Sequence, residues 1–141
     1  MDALNICRLH SGENFLEFSD FRYSAEDEAN GNPYNFFFTV RVSSDGFRGH
    51  TGWECDRKEF VKFVQSIQNL YDFRTSSAEF SDIGYGSRVR FEADKTGHIT
   101  VTGTLYGHAA DQSVTFRFTA DQTDLHPFLT NLPKPKKPFP D

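Results

Sequence analysis

The feature that most restricts what this chain can fold into is a two-residue hydrophobic alternation that recurs along it. YNFFFTVRV places Tyr34, Phe36, Phe38, Val40 and Val42 on one face and Asn35, Thr39 and Arg41 on the other, with Phe37 as the exception. SRVRFEAD sets Val89, Phe91 and Ala93 against Arg88, Arg90 and Glu92. GHITVTGTLYG sets Ile99, Val101, Gly103 and Leu105 against polar residues and Tyr106, and SVTFRFTA sets Val114, Phe116 and Phe118 against Ser113, Thr115 and Arg117. Successive strand side chains point to opposite faces, so these are antiparallel strands with one dry and one wet face. Upstream, ALNICRL and NFLEFSDFRYS read as a hairpin joined at His10-Ser11-Gly12-Glu13.

Two segments change to the helical period. Phe60, Phe63, Val64, Ile67 and Leu70 share one helix face after Asp56, and Leu125, Phe128, Leu129 and Leu132 share another after Asp121. Asp56-x-x-Glu59 and Asp121-x-x-Asp124 are acidic capping signatures. Pro127 limits where the second helix can start, and Pro133 follows its end. The two caps lie 65 positions apart, and at that same offset Trp53 matches Phe118, Cys55 matches Ala120 and Phe63 matches Phe128. Carried upstream without a gap, it pairs Tyr34, Phe36 and Val40 with Ile99, Val101 and Leu105. The expected fold is α+β: two β-β-β-β-α pseudo-repeats, about 3–72 and 77–132, with about eight antiparallel strands in a curved sheet or sandwich and two helices. A chain of 141 residues suits one domain, here 1–132, followed by a flexible Pro/Lys-rich tail over 133–141.

The stretch most suggestive of chemistry is GHTGWECD, with His50, Cys55 and Asp56 beside the only tryptophan. Strand parity groups Phe47, Gly49, Thr51, Trp53 and Cys55 on one face and Arg48, His50 and Glu54 on the other. A thiol and an imidazole on opposite faces cannot pair as nucleophile and base. Cys55 is therefore expected in the core and Asp56 at a helix cap. The five histidines lack metal-ligand spacing, so no metal or cofactor is expected. GYGS at 84–87 lacks the helix and lysine of a phosphate loop and reads as a turn. Arg88, Arg90 and Arg117 lie on a wet strand face, interrupted by Glu92, as ordinary cross-strand pairs.

Composition narrows the partner. The net charge is −5, and without the basic tail (Lys134, Lys136, Lys137, Asp141) the body stands at −7. That sign repels nucleic-acid phosphates and favours a basic protein. No apolar run approaches a membrane span, and the first 20 residues lack an export signal, so a soluble cytoplasmic protein is expected. Cys7 and Cys55 make no disulfide framework. The most one-sided stretch is 13–30, where Glu13, Glu17, Asp20, Glu26, Asp27 and Glu28 face Arg22 alone. Glu17, Asp20, Glu26, Asp27 and Glu28 are the candidate partner-binding residues. SAEDEANGNP is expected to be an irregular loop, because Asn30-Gly31-Asn32-Pro33 opposes regular structure.

Gly97-x-Ile99-x-Val101-x-Gly103, Phe116-x-Phe118 and Asp121-Gln122-Thr123-x-Leu125 with Phe128 and Leu132 resemble the WapI-type immunity proteins of bacterial polymorphic toxin systems. Gly46-Phe47, Trp53 and Phe60-x-x-Phe63 extend the likeness over roughly 36–132. The resemblance implies a protein that neutralises a cognate toxin by binding it, without catalysis. Every matching residue also has a structural task, and no toxin-contact motif comes with the likeness. An uncharacterised interaction or ligand-binding domain is the alternative.

Overall fold

The computed structural model describes residues 6–134. Strands β1 (Ile6–Ser11), β2 (Asn14–Tyr23), β3 (Phe36–Ser44) and β4 (Phe47–Cys55) form one antiparallel sheet in chain order. Strands β5 (Ser77–Ser81), β6 (Arg88–Ala93), β7 (His98–Tyr106) and β8 (Ser113–Asp121) form a second, also in chain order. Helix α1 (Ala25–Ala29) lies between β2 and β3, α2 (Arg57–Tyr71) follows the first sheet, and α3 (Gln122–Asn131) follows the second. The eight antiparallel strands and the two long helices agree with the alternation. The third helix is a correction: SAEDEANGNP is not wholly irregular. Ser24 caps α1 by accepting the Asp27 N–H at 3.2 Å, and only then does Asn30-Gly31-Asn32-Pro33 lead the chain out.

Alternation ends where a bulge intervenes. Phe18 and Phe21 are three apart, yet both are buried. The β2–β3 register shifts between Ser19 and Arg22, with Asp20 at φ 58°. The extra residue turns Phe21 back to the core face. Phe47 departs from its expected face: it is 71% exposed at the mouth of the β3–β4 turn, whereas Thr51, Trp53 and Cys55 are buried. Val64 is only half-buried on α2, beside fully buried Phe60, Phe63, Ile67 and Leu70. Pro127 sits inside α3 rather than before it.

The inner faces of both sheets and both long helices meet in one aromatic core. Phe63 stacks on Phe80 with centroids 4.4 Å apart, and Phe60 stacks on Phe36 at 4.5 Å. Phe128 from α3 contacts Phe18 of the first sheet at 5.2 Å and Phe91 of the second at 6.0 Å. Each such ring removed from water stabilises by about 1.5–3 kcal/mol, which is how a chain with 16 Phe holds its layers together. Bonds between the sheets add direction: the Ser44 hydroxyl donates to the Arg117 carbonyl (2.9 Å) and that of Thr51 to the Tyr106 carbonyl (2.7 Å).

The ungapped offset needs correcting at β7. Phe36 lies opposite Cys55, and Ile99, not Val101, lies opposite Ala120. From Cys55 to Ala120 is 65 positions, but from Phe36 to Ile99 is 63. A slip of two keeps the same side chains inward, so the hydrophobic pattern does not reveal it. Of the tail expected from 133, Pro133 is buried, and residues 135–141 lie outside the described residues.

Candidate partner surface

The five acidic residues singled out in the sequence meet different surroundings: Glu17 and Glu28 are held in ion pairs, and Asp20 and Glu26 are exposed. Glu17 stands mid-row on the outer face of the first sheet, between Arg8 and Arg41 on the neighbouring strands. Arg8 Nη2 and Nε donate to its Oε1 at 2.6 and 3.0 Å, Arg41 Nη1 lies 3.8 Å from Oε2, and Glu17 is buried. The Arg8 guanidinium also covers the Phe15 ring at 4.2 Å.

Glu28 turns inward from α1. Its Oε1 accepts from Arg57 Nε at 2.7 Å and from the Tyr23 hydroxyl at 2.7 Å, and its Oε2 accepts from Arg57 Nη2 at 3.2 Å. Arg57 is the first residue of α2 and is itself buried. Its backbone N–H donates to Asn35 Oδ1 at 2.7 Å, and Asn35 Nδ2 donates to the Asn32 carbonyl at 2.8 Å. Four segments are thus tied together: the end of β2, α1, the start of β3 and the start of α2. The Arg57 hydrogen bonds hold the Glu28 carboxyl below the ordinary carboxylate range, with Tyr23 adding to the effect. Burial, then the Glu28 carboxylate, pushes the Tyr23 hydroxyl up.

Asp20 is exposed on the bulge, Glu26 is exposed on α1, and Asp27 is half-exposed beside it. Asp20, Glu26 and Asp27 are the members of the set whose carboxylates face solvent. Two further acids stand close to the loop that follows α1: Asp56, the α2 cap, which accepts the Lys58 N–H at 3.0 Å, and Glu59. Both share a groove with Pro33 of that loop. The charge count missed them because they belong to another sequence segment. Asp82 is buried and accepts the N–H groups of Glu54 (2.7 Å), Gly84 (2.9 Å) and Tyr85 (2.7 Å), shaping the turn that contains GYGS. The Asp-x-Gly pattern at 82–84 was its signal.

GHTGWECD does not bring its thiol and its imidazole together. Cys55 is buried opposite Phe36, and His50 is exposed opposite Arg41. Burial, reinforced by the Asp56, Asp82 and Glu59 charges, raises the Cys55 thiol far above its usual value. Burial and Glu17 push the Cys7 thiol up to about 12. A thiol held protonated is a poor nucleophile. Among the described residues no three His, Cys, Asp or Glu side chains are arranged to hold a metal ion, and no helix is long and apolar enough to cross a membrane. On the second sheet Arg90 is paired with Glu79 (3.0 Å) and Glu92 (2.6 Å), so the arginine stripe is partly neutralised by cross-strand and same-strand partners.

Of these ion pairs only that of Arg57 with Glu28 is largely buried on both sides, since Arg8 and Arg41 are partly exposed. The family model described as "Immunity protein WapI-like family" matches residues 8–140, nearly the whole chain. The chain belongs to the WapI-like immunity protein family. No match is found among curated proteins or solved structures. Within this WapI-like chain, the matched span takes in both sheets, all three helices and the acidic segment 13–30.

Proposed function

We propose that this chain is a non-catalytic immunity protein that binds a cognate bacterial toxin and neutralises it by covering its working surface. The observation that carries the reading is the family match over 8–140. The arrangement of the side chains supports it: both thiols are buried, and the exposed carboxylates serve recognition better than proton transfer. The partner face includes Asp20, Glu26 and Asp27, with Glu17 and Glu28 fixing the frame that presents them. A partner of that complement is basic, and a nuclease with a positive cleft is the natural case. The setting is the cytoplasm, where an immunity protein meets an incoming toxin. We also read 6–132 as one domain made of two pseudo-repeated β-β-β-β-α units with a two-residue slip in the β7 strand.

The test is to sequence the genes flanking this one for a toxin domain and to co-express that domain with the chain. Growth should be restored, and the two proteins should co-elute as one complex. Unrelieved growth arrest with a folded, expressed chain refutes the reading.

A further inference from the structure

A sheet edge left open is a template for another strand. Three of the four edges here are engaged. β1 packs along α3, β8 packs against β1, β3 and β4, and β4 is met by the chain after β5, where the Ile83 N–H donates to the Glu54 carbonyl at 3.0 Å. The fourth edge, β5, packs on α2 but keeps outward backbone groups that no hydrogen bond reaches. Asp82 donates to the Ser87 carbonyl and Ala93 to that of Ser76, so Ser76, Ala78, Phe80 and Asp82 bond toward β6. In an antiparallel ladder the alternate residues then point their N–H and C=O groups away. These are Ser77, Glu79 and Ser81, and for Glu79 and Ser81 no partner stands on that side among the described residues.

The open edge borders a groove of about 690 Å³ whose other wall is the first half of α2. Cys55, Phe63 and Phe80 form its apolar floor, and Asp56 and Glu59 stand on its rim, while the Glu79 carboxylate is paired with Arg90 at 3.0 Å. The one cation there, Lys62, is spent on Glu59 at 3.3 Å. An apolar floor, an unpaired strand edge and a net negative rim call for one kind of occupant.

We propose that this groove receives an extended basic segment of the protein partner, added to the second sheet as a strand beside β5. The segment pairs its backbone with Glu79 and Ser81, lowers an apolar side chain toward Phe63 and Phe80, and sets a lysine or arginine against Asp56 and Glu59. Backbone pairing supplies attachment, while the floor and rim select the sequence. The proposal rests on the reading of the chain as a toxin-binding immunity protein and names the chemistry of the segment it grips.

The probe is an acetylated ten-residue peptide alternating Lys and Val, with a Glu/Val peptide as its counterpart, titrated into the isotope-labelled full chain by NMR. The Lys/Val peptide should shift the amides of Glu79 and Ser81 and slow their exchange, and the Glu/Val peptide should leave them unmoved. Ser81→Pro removes the outward N–H without touching the bonds to β6, and it should weaken binding at least tenfold. Glu59→Lys, at an exposed position on the groove, should do the same and serves if the proline variant does not fold. Shifts confined to other surfaces, no binding, equal binding of the acidic peptide, or indifference to these variants overturns the groove. Failure of the immunity reading looks different, because toxin is then neither bound nor neutralised while the Lys/Val peptide still occupies the edge.

Discussion

At the scale of single residues, ionisable groups in this chain differ by whether the fold gives them a partner. Cys7 and Cys55 are both buried without one, and burial holds their thiols protonated. Neither thiol should react with a disulfide reagent at pH 8 in the folded chain, and both should react on denaturation. A thiol assay in buffer and in guanidinium checks this, and one fast-reacting thiol in buffer contradicts the buried assignment. Glu28 has three hydrogen bonds and a lowered folded pKa. The sign follows from linkage: its contribution is complete above the unfolded glutamate value of about 4.3, shrinks below it, and is gone once pH has fallen through the folded value. Glu28→Gln should cost about 1–3 kcal/mol at pH 7, by leaving Arg57 poorly matched, and should flatten the loss of stability on acidification. Denaturant titrations at pH 7 and pH 3.5 measure both effects.

At the scale of elements, close approach decides which glycines are replaceable. A Cβ on Gly103 would stand 2.4 Å from the Arg88 carbonyl oxygen and 2.8 Å from the Phe116 ring, while one on Gly52 would meet nothing within 4 Å. Gly103→Ala should destabilise by about 1–3 kcal/mol through overpacking, and Gly52→Ala should be neutral or stabilise by up to about 1 kcal/mol. Thermal melts of the pair decide it, and equal midpoints would mean that β7 relaxes away from β6. Asp56→Ala removes the α2 cap and should cost roughly 0.5–2 kcal/mol by the same measurement. Most of these elements were legible in the sequence, because strand alternation and the Phe60-Phe63-Ile67-Leu70 spacing are local signals. The two-residue slip at β7 was hidden because an even shift preserves every inward residue. The bulge at Asp20 was hidden because Phe18 and Phe21 break the period with no glycine to mark where. Helix α1 was masked by the Asn-Gly-Asn-Pro exit that follows it, though Ser24-x-x-Asp27 carried its cap.

At the scale of the whole molecule, what matters is which carboxylates remain for a partner once folding has used its share. Charge counted along the chain treats Glu17, Glu26, Asp27 and Glu28 alike. Their fates depend on Arg8, Arg41 and Arg57, and no local pattern announces those contacts. Folding commits Glu17 and Glu28 to these arginines and leaves Asp20, Glu26 and Asp27 exposed or half-exposed. Near the exit from α1, Asp56 and Glu59 line the groove that Pro33 shares, so acidic side chains from distant segments border one part of the surface. Such charges act mainly on encounter: they speed association with a basic protein, and salt of about 0.15 M screens them beyond about 8 Å. Replacing Asp20, Glu26 and Asp27 together by Ser should therefore slow association with the cognate toxin several-fold at low ionic strength and much less at high. The variant should melt close to the parent, because none of the three carboxylates holds the fold's ion pairs. Glu28→Gln in the same assay separates the two roles, since it should lower stability more than association rate. Stopped-flow association at two salt concentrations is the measurement. A rate unchanged at both would place the encounter surface away from this acidic end of the first sheet.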